Sequence, residues 1–152
     1  MDVHTLTREQ RLPGTPADVF AFFADARHLK AITPPLLRFA LATTDPIEMR
    51  AGALIRYRLR VRGVPINWLT QITQWQPPHR FVDEQLKGPY ALWHHTHTFE
   101  ADGAQTIMRD EVRYRVGFGP LGALANALMV RRDVERIFDY RAERVAELIS
   151  RP

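Results

Sequence analysis

The stretch that decides the fold is ALWHHTHTFEADGAQTIMRDEVRYRV, which covers residues 91–116. Two segments rich in β-branched and aromatic residues flank the dipeptide Asp102-Gly103. Asp-Gly between two such segments is the strongest short-range signal for a tight antiparallel hairpin. The stretch therefore predicts a hairpin of two strands, 91–100 and 105–116.

The chain before this hairpin shows further strand patterns that proline and glycine separate from one another. The clearest is 53–61, where apolar residues alternate with Arg56, Arg58 and Arg60. Such alternation is typical of an antiparallel sheet with one face in water. The remaining strands are predicted at 3–12, 39–43, 66–75 and 80–86.

Two short helices are predicted after the first strand. Thr15 is placed to cap a helix that begins at Pro16, since threonine is a good N-cap and proline suits the first turn. Asp25 is placed in the same way before a second helix around 26–31. Together these helices would close one end of the sheet.

After the hairpin the apolar period changes from two to between three and four residues, which indicates an amphipathic helix. Pro120 suits its first turn, and it would run to about Ser150. At 1.5 Å per residue the helix would be about 45 Å long, enough to cross the whole sheet. Its apolar positions are Leu121, Leu124, Leu128, Val134, Ile137, Phe138, Val145, Leu148 and Ile149.

The order of elements predicts an α+β fold in a single domain, 1–152. A curved antiparallel seven-stranded sheet would grip the long C-terminal helix, with the two short helices after strand 1. A straight helix across a strongly curved sheet leaves space between the two layers. We expect a cavity there.

Composition excludes several classes of function. The chain has 152 residues and no cysteine, which excludes disulfide frameworks, thiolate catalysis and thiolate metal sites. A net charge of +4 is ordinary for a small domain, and no nucleic-acid partner is expected. Residues 1–10 carry charges where a signal peptide has its apolar core, and Val19–Ala24 is too short to span a bilayer. We expect a cytoplasmic protein with no integral membrane segment.

Eight short motifs in this order carry a family resemblance: Gly52 to Tyr57, Pro65 to Trp68, Trp75 to Pro78, Phe81 to Gln85, Gly88 to Tyr90, Trp93 to Phe99, Asp110 to Tyr114 and Ile137 to Arg141. Through them the chain resembles the START-like helix-grip superfamily of polyketide cyclases, plant allergen and lipid-transfer relatives and bacterial SRPBCC proteins. It is similar to a bacterial subgroup that also occurs fused to nucleotide-sugar-epimerase-like proteins. The resemblance implies the fold and a role in holding hydrophobic or amphipathic molecules. It does not imply a reaction.

The segment 93–99 offers the most chemistry. Side chains two apart on a strand share a face, so Trp93, His95 and His97 point the same way, toward the interior if the aromatic ring does. With Asp102-Gly103 as the loop, Ala101 pairs with Ala104, His97 with Met108 and His95 with Asp110. This register puts a carboxylate opposite a histidine on the inner face.

The predicted ligand-binding residues are Tyr57, Trp68, Gln85, Trp93, His95, His97, Asp110 and Tyr114. Asp83 shares a face with Gln85 but is a poorer candidate, because the turn at 87–90 does not fix their register. His95 and Asp110 could act on a ligand, or they could be a buried pair that satisfies only itself. Two histidines and an acid could also hold zinc or iron, but no third histidine completes the set. No metal or cofactor is predicted.

Three functions remain open. The preferred one is a binding or carrier module for a small hydrophobic or amphipathic ligand such as a lipid, an isoprenoid or a polyketide-like compound. The second is an enzyme of cyclase, dehydratase or isomerase type, with His95 and Asp110 as acid and base. The third is a protein-interaction domain that uses an arginine-rich outer face. The sequence does not indicate the ligand or the oligomeric state.

Overall fold

The computed structural model describes residues 3–43, 47–61, 63–117 and 119–150, without the side chains at 122, 123, 126 and 127. One antiparallel sheet has seven strands in the order β1-β7-β6-β5-β4-β3-β2. The strands are β1 (His4–Pro13), β2 (Ala40–Leu41), β3 (Leu54–Val61), β4 (Val64–Gln76), β5 (Arg80–Lys87), β6 (Leu92–Asp102) and β7 (Gln105–Arg115). The predicted set of seven strands is confirmed.

The helix after β1 begins and is capped as the sequence predicts. It is α1 (Pro16–Phe23), and the Thr15 side chain accepts from the backbone N–H of Asp18 while the Asp18 carboxylate accepts from the N–H of Thr15. This reciprocal capping box satisfies two donors that a helix N-terminus otherwise leaves free. The second predicted helix is a shorter 3-10 turn, Ala26–Leu29, which the Asp25 side chain caps. Another 3-10 turn, Pro35–Leu37, leads toward β2.

The C-terminal helix is continuous but consists of three parts. These are α2 (Gly119–Ala125), a π-helical segment (Asn126–Val130) and α3 (Arg131–Ser150). Among its described side chains, the fully buried ones, Val134, Phe138 and Val145, lie in α3, and Val130 just before α3 is partly buried against the same interior. Of the described side chains, those before Val130 do not contribute to the apolar face predicted for the whole helix.

The expectation was wrong for the first turns of this helix, where Leu121, Leu124 and Leu128 are exposed. The reason is that the helix is longer than the sheet that it covers. Val134 already packs with Val112 of β7, next to the end of that strand. Val130 still packs against the same cluster, so the turns before Val130, about 15 Å in length, extend past the sheet.

The interior has two differently built ends. At the closed end β1 stops, β6 turns into β7, and α1 covers the sheet. Phe20 of α1 packs edge-to-face on Phe81 and Phe99, with ring centroids 5.7 and 5.3 Å away. The opposite, open end carries the β3–β4 and β5–β6 turns, the end of β7 and helix residues 119–130.

The β6–β7 register differs from the predicted one by two residues. Asp102 pairs with Gln105, so the loop is Gly103-Ala104 and not Asp102-Gly103. Gly103 has φ +60° and takes the first loop position, where a common hairpin turn requires a positive φ.

In consequence His97 lies opposite Asp110 and His95 opposite Val112, so the predicted pairs His97–Met108 and His95–Asp110 are wrong. A shift by two residues keeps every side chain on its predicted face, because the side-chain period of a strand is two.

Candidate functional site

Two histidines and two aspartates from three neighbouring strands form a cluster on the concave face, which we call the tetrad. His95 and His97 lie on β6, Asp83 on β5 and Asp110 on β7. His95 Nε2 donates to Asp110 Oδ1 at 2.7 Å, and His97 Nε2 donates to Asp83 Oδ2, also at 2.7 Å. The direction follows because an ionised carboxylate can only accept.

The two imidazole rings of the tetrad stack on each other. Their centroids are 3.6 Å apart, and their planes differ by 28°. Each carboxylate also approaches the second ring: Asp83 Oδ2 is 3.7 Å from His95 Nδ1, and Asp110 Oδ1 is 3.4 Å from His97 Nδ1. Both imidazoles are thus held between the two carboxylates, which fixes the orientation of the rings.

The tetrad is almost entirely removed from water. His95 and His97 are each 3% exposed, and the carboxylate side chains of Asp110 and Asp83 are 12% and 17% exposed. Isolated charges at such depth cost several kcal/mol each, so their presence requires partners. The hydrogen bonds supply them.

The environment separates the pKa values of the two histidines. Burial and the charge of His97 lower the pKa of His95, despite the neighbouring carboxylates. Burial acts on His97 too, but hydrogen bonding to Asp110 and Asp83 outweighs it and raises the pKa of His97.

Burial alone would raise the pKa values of the two aspartates. For Asp110 the hydrogen bonds of both histidines reverse this and hold the pKa well below its usual range. For Asp83 the charge of His95 and the hydrogen bond from His97 do the same. These directions favour ionised carboxylates, the charged form of His97 and the neutral form of His95.

Ligand atoms of Asp83, His95 and His97 all lie within 4.8 Å of one another, which is the spacing of a metal site. The ring orientation fits a metal poorly. The nitrogen lone pairs of stacked imidazoles point in parallel directions, whereas a tetrahedral metal needs them to converge on one point. The geometry suits a hydrogen-bonded cluster better than zinc coordination.

An aromatic wall adjoins the tetrad toward the open end. Trp68 stacks on Tyr57 at 5.8 Å between centroids and meets Trp93 edge-on at 5.4 Å. Trp93 in turn lies 6.3 Å from Tyr114. Phe138 of α3 completes the wall over His95, at 5.3 Å. These contacts connect the tetrad to the open end.

Two buried polar atoms in this region lack a hydrogen-bond partner among the described residues. They are the indole Nε1 of Trp68 and the Nε of Arg141. The Arg141 guanidinium lies 5.0 Å from the Phe138 ring, and its charge acts on Asp83 and Tyr57 across the interior. Arg141 therefore reaches from α3 toward the concave face.

The structure brings together most of the predicted site residues. His95, His97 and Asp110 belong to the tetrad; Tyr57, Trp68, Trp93 and Tyr114 belong to the aromatic wall.

Gln85 belongs to neither group, because its side chain is hydrogen-bonded to the backbone of Tyr90. Its amide donates to the carbonyl of Tyr90 at 2.8 Å and accepts from the N–H of Tyr90 at 3.1 Å. Both the amino group and the oxygen of the Gln85 amide are thus used in hydrogen bonds that stabilise the β5–β6 turn.

Two residues of the site were not predicted as binding residues. Asp83 was set aside because no turn fixed the register of β5, and only its pairing with His95 shows that it faces inward. Arg141 was missed altogether. A signal existed, since Arg141 stands three residues after Phe138 and four before Val145, on the same helix face as both.

The outer face of the sheet presents a different surface. A groove of about 460 Å³ is lined there by threonines and by charged side chains that include Arg109. Arg109 forms ion pairs with Glu9 and Glu100 at 3.1 and 2.7 Å. Exposed pairs of this kind form a solvated surface and contribute little to stability.

The comparisons with known proteins agree with this architecture. A family model described as polyketide cyclase / dehydrase and lipid transport matches residues 3–150. No curated protein matches the sequence significantly. No helix in the described part of the chain is both long and apolar enough to cross a membrane.

Solved structures share the fold at low sequence identity. The Zhui aromatase/cyclase from Streptomyces sp. R1128 is similar at 15% identity with a TM-score of 0.79, over 99% of this chain and 95% of that one. A START superfamily protein from Mycobacterium smegmatis is similar at 10% identity with a TM-score of 0.69, over 95% and 99%. Norcoclaurine synthase from Thalictrum flavum is similar at 13% identity with a TM-score of 0.68, over 98% of both chains. The predicted START-like helix-grip fold is thereby confirmed.

Proposed function

The chain belongs to the polyketide cyclase/dehydrase and lipid transport family, and from this premise we propose that it holds a small apolar or amphipathic molecule between the concave face of the sheet and α3. The bound molecule is of lipid, isoprenoid or polyketide-like type. The aromatic wall supplies its apolar contacts, and the tetrad lies beside it.

The observation that carries this proposal is the pair of unpartnered polar atoms at Trp68 and Arg141. Folded proteins pair nearly all buried polar groups, because an unpaired one costs about 1–3 kcal/mol. Both groups, the indole of Trp68 and the guanidinium of Arg141, can only donate. A ligand with oxygen acceptors on an apolar or aromatic skeleton would satisfy them.

A second function, that of an enzyme of cyclase, dehydratase or isomerase type, rests on the unequal pKa directions of the two histidines. The lowered pKa of His95 favours its neutral form, which can accept a proton, and the raised pKa of His97 favours its charged form, which can donate one. Asp110 orients His95 through its 2.7 Å hydrogen bond. Paired groups whose environments push their pKa values apart are typical of acid–base sites. The bound ligand would then be a substrate.

Native mass spectrometry of the protein purified from its own host tests the binding function. We expect a complex heavier than the chain by one small molecule, which denaturation releases for identification. Trp68→Phe should lower the bound fraction, whereas Trp75→Phe, at the closed end, should not. A protein that is purified without any adduct, and whose tryptophan fluorescence no fatty acid or aromatic polyketide changes, would contradict the proposal.

The released compound then separates the two functions. His95→Gln keeps a side chain that can hydrogen-bond but cannot exchange a proton near neutral pH. If the protein is an enzyme, His95→Gln retains the compound and wild type converts it. If both proteins return the compound unaltered, the chain is a carrier and the acid–base function is wrong.

A further inference from the structure

Exposed large apolar side chains are concentrated at the open end. Among the described residues nine such side chains are exposed, and only Leu54, at the start of β3, lies toward the closed end. The other eight are Val3, Leu36, Val64, Leu86, Leu121, Leu124, Leu128 and Met129. Scattered apolar residues need no explanation, but a one-sided set of this size does.

The topology places these eight side chains at one end. Val64 begins β4 and Leu86 nearly ends β5, so both lie at turns on this end of the sheet. The β3–β4 turn extends further, because Lys87 pairs with Leu69 and not with Val64. Val3 precedes β1 beside the end of β7, because His4 pairs with Tyr114. Leu36 lies in the turn that enters β2 from the same side.

The helix contributes the largest part of this set. Leu121, Leu124 and Leu128 follow one another at spacings of three and four, so they form one stripe. They are 75%, 56% and 61% exposed. The stripe belongs to the turns that extend past the sheet, and it ends at the basic pair Arg131-Arg132.

The charge at this end is mainly positive. The segments 35–38, 60–64, 86–91 and 115–132 contain no acidic residue. Their described basic residues are Arg38, Arg60, Lys87, Arg115, Arg131 and Arg132. The acidic residues Asp18, Asp25 and Asp102 lie at the closed end instead. Two acidic residues follow in α3, where Glu135 pairs with Arg131 at 3.3 Å and the charge of Asp133 acts on Tyr90. The described part of this end is therefore apolar and mainly basic.

We infer that the open end docks on an anionic lipid bilayer, with the leucine stripe and the turn residues Val64 and Leu86 in the interface and the basic residues against the headgroups. Apolar tips surrounded by Lys and Arg are the combination that binds peripherally to anionic membranes. A protein partner would need one continuous complementary surface, whereas these side chains come from separate turns. The inference does not rest on the proposed function, although docking would bring the aromatic wall next to the lipid.

Co-sedimentation of the full chain with vesicles tests the inference. We expect binding to phosphatidylcholine vesicles that contain about 30% phosphatidylserine, at least tenfold weaker binding to pure phosphatidylcholine, and loss of binding in high salt. The double variant Leu124→Glu/Leu128→Glu should lose binding by more than tenfold. Leu54→Glu, an equally exposed leucine away from the open end, should bind like wild type.

A charge-reversal pair tests the electrostatic part. Lys87→Glu/Arg132→Glu should weaken binding to anionic vesicles severalfold and flatten its salt dependence. The control Arg50→Glu reverses an exposed arginine that is paired only loosely, at 4.0 Å, with Glu48 near the start of β3. It should leave binding unchanged.

The inference is overturned if wild type does not sediment with anionic vesicles, or if the open-end variants sediment as wild type does. It is also overturned if the leucine variants instead turn a dimer into a monomer in light scattering without any vesicle binding. The apolar end would then be an interface between two copies of the chain. Circular dichroism of each variant confirms that the fold is retained.

Discussion

At the closed end the interior is filled by phenyl rings that interlock, whereas at the open end it is lined by aromatic rings and polar groups that are only partly satisfied. Phe20 touches Trp75, Phe81 and Phe99 at centroid distances of 4.9–5.7 Å. The phenyl rings of Phe20, Phe81 and Phe99 have no polar atom that would need a hydrogen-bond partner. At the open end Trp68 is equally buried, yet its indole N–H is unpaired.

The difference indicates that the two ends of the interior have different roles. The closed end is built as a packed core is, and we expect it to supply much of the free energy of folding. The open end keeps groups that packing alone does not require. Matched substitutions at the two ends test this difference.

The largest effect is expected from Phe20→Ala. Removing a buried phenyl ring from a tightly packed region costs about 3–5 kcal/mol, because the cavity collapses only in part. Urea unfolding should show this loss, and ligand retention should be normal. Trp93→Ala at the open end should cost less, since Trp93 is only partly buried. A larger loss for Trp93→Ala would reverse the comparison.

The next effect concerns Asp110→Asn, which keeps the shape of the side chain and removes its charge. The hydrogen bond from His95 is then no longer charge-assisted, and we expect a loss of about 1.5–3 kcal/mol at neutral pH. Glu111→Gln, the next residue along β7 and exposed on the outer face, is the control. Equal unfolding midpoints in urea for both variants would mean that the tetrad does not stabilise the fold.

A smaller change is expected for Trp68→Phe. It removes an unpaired buried donor, and this gain partly offsets the lost ring contacts, so stability should change by less than about 1 kcal/mol. Affinity for the ligand should nevertheless fall. Trp75→Phe should show the opposite pattern, a loss of packing energy with unchanged affinity. Calorimetry with the host-derived ligand measures both affinities.

The smallest perturbation is a pH titration of wild type followed by imidazole NMR signals. His97 should titrate above the ordinary value of about 6.5 and His95 below it. The raised pKa means that His97 stabilises the fold fully below its ordinary pKa and loses that contribution as the pH rises through the raised value. His95, with a lowered pKa, favours folding in its neutral form and opposes it at lower pH. Coincident titrations of the two histidines would contradict the assignment.

The sequence predicted the fold and most of the candidate site because both depend on local periodicity. Alternation placed His95, His97 and Asp110 on the inner face, and this survived the error of two residues in the β6–β7 register because the parity of each position was unchanged. A one-residue error in the register would have placed Asp110 on the outer face, opposite to the histidines.

The remainder depends on contacts between distant segments, which no local pattern contains. Asp83 could be placed only by its pairing with β6, and Arg141 only by the position of α3 across the sheet. The exposure of Leu124 follows from the helix being longer than the sheet it covers. The periodicity indicated an apolar stripe but not what lies opposite it.

The π-helical segment at Asn126–Val130 sets the rotational phase between the two parts of the helix. A π turn contains one residue more than an α turn, and one residue corresponds to about 100° of rotation about the helix axis. On an uninterrupted α-helix the stripe of Leu121, Leu124 and Leu128 would lie about 90° from the face of Val134 and Phe138. The extra residue turns it to nearly the opposite side. A one-residue deletion in 126–130 should therefore swing the leucines back toward the buried face, with the composition of the stripe unchanged.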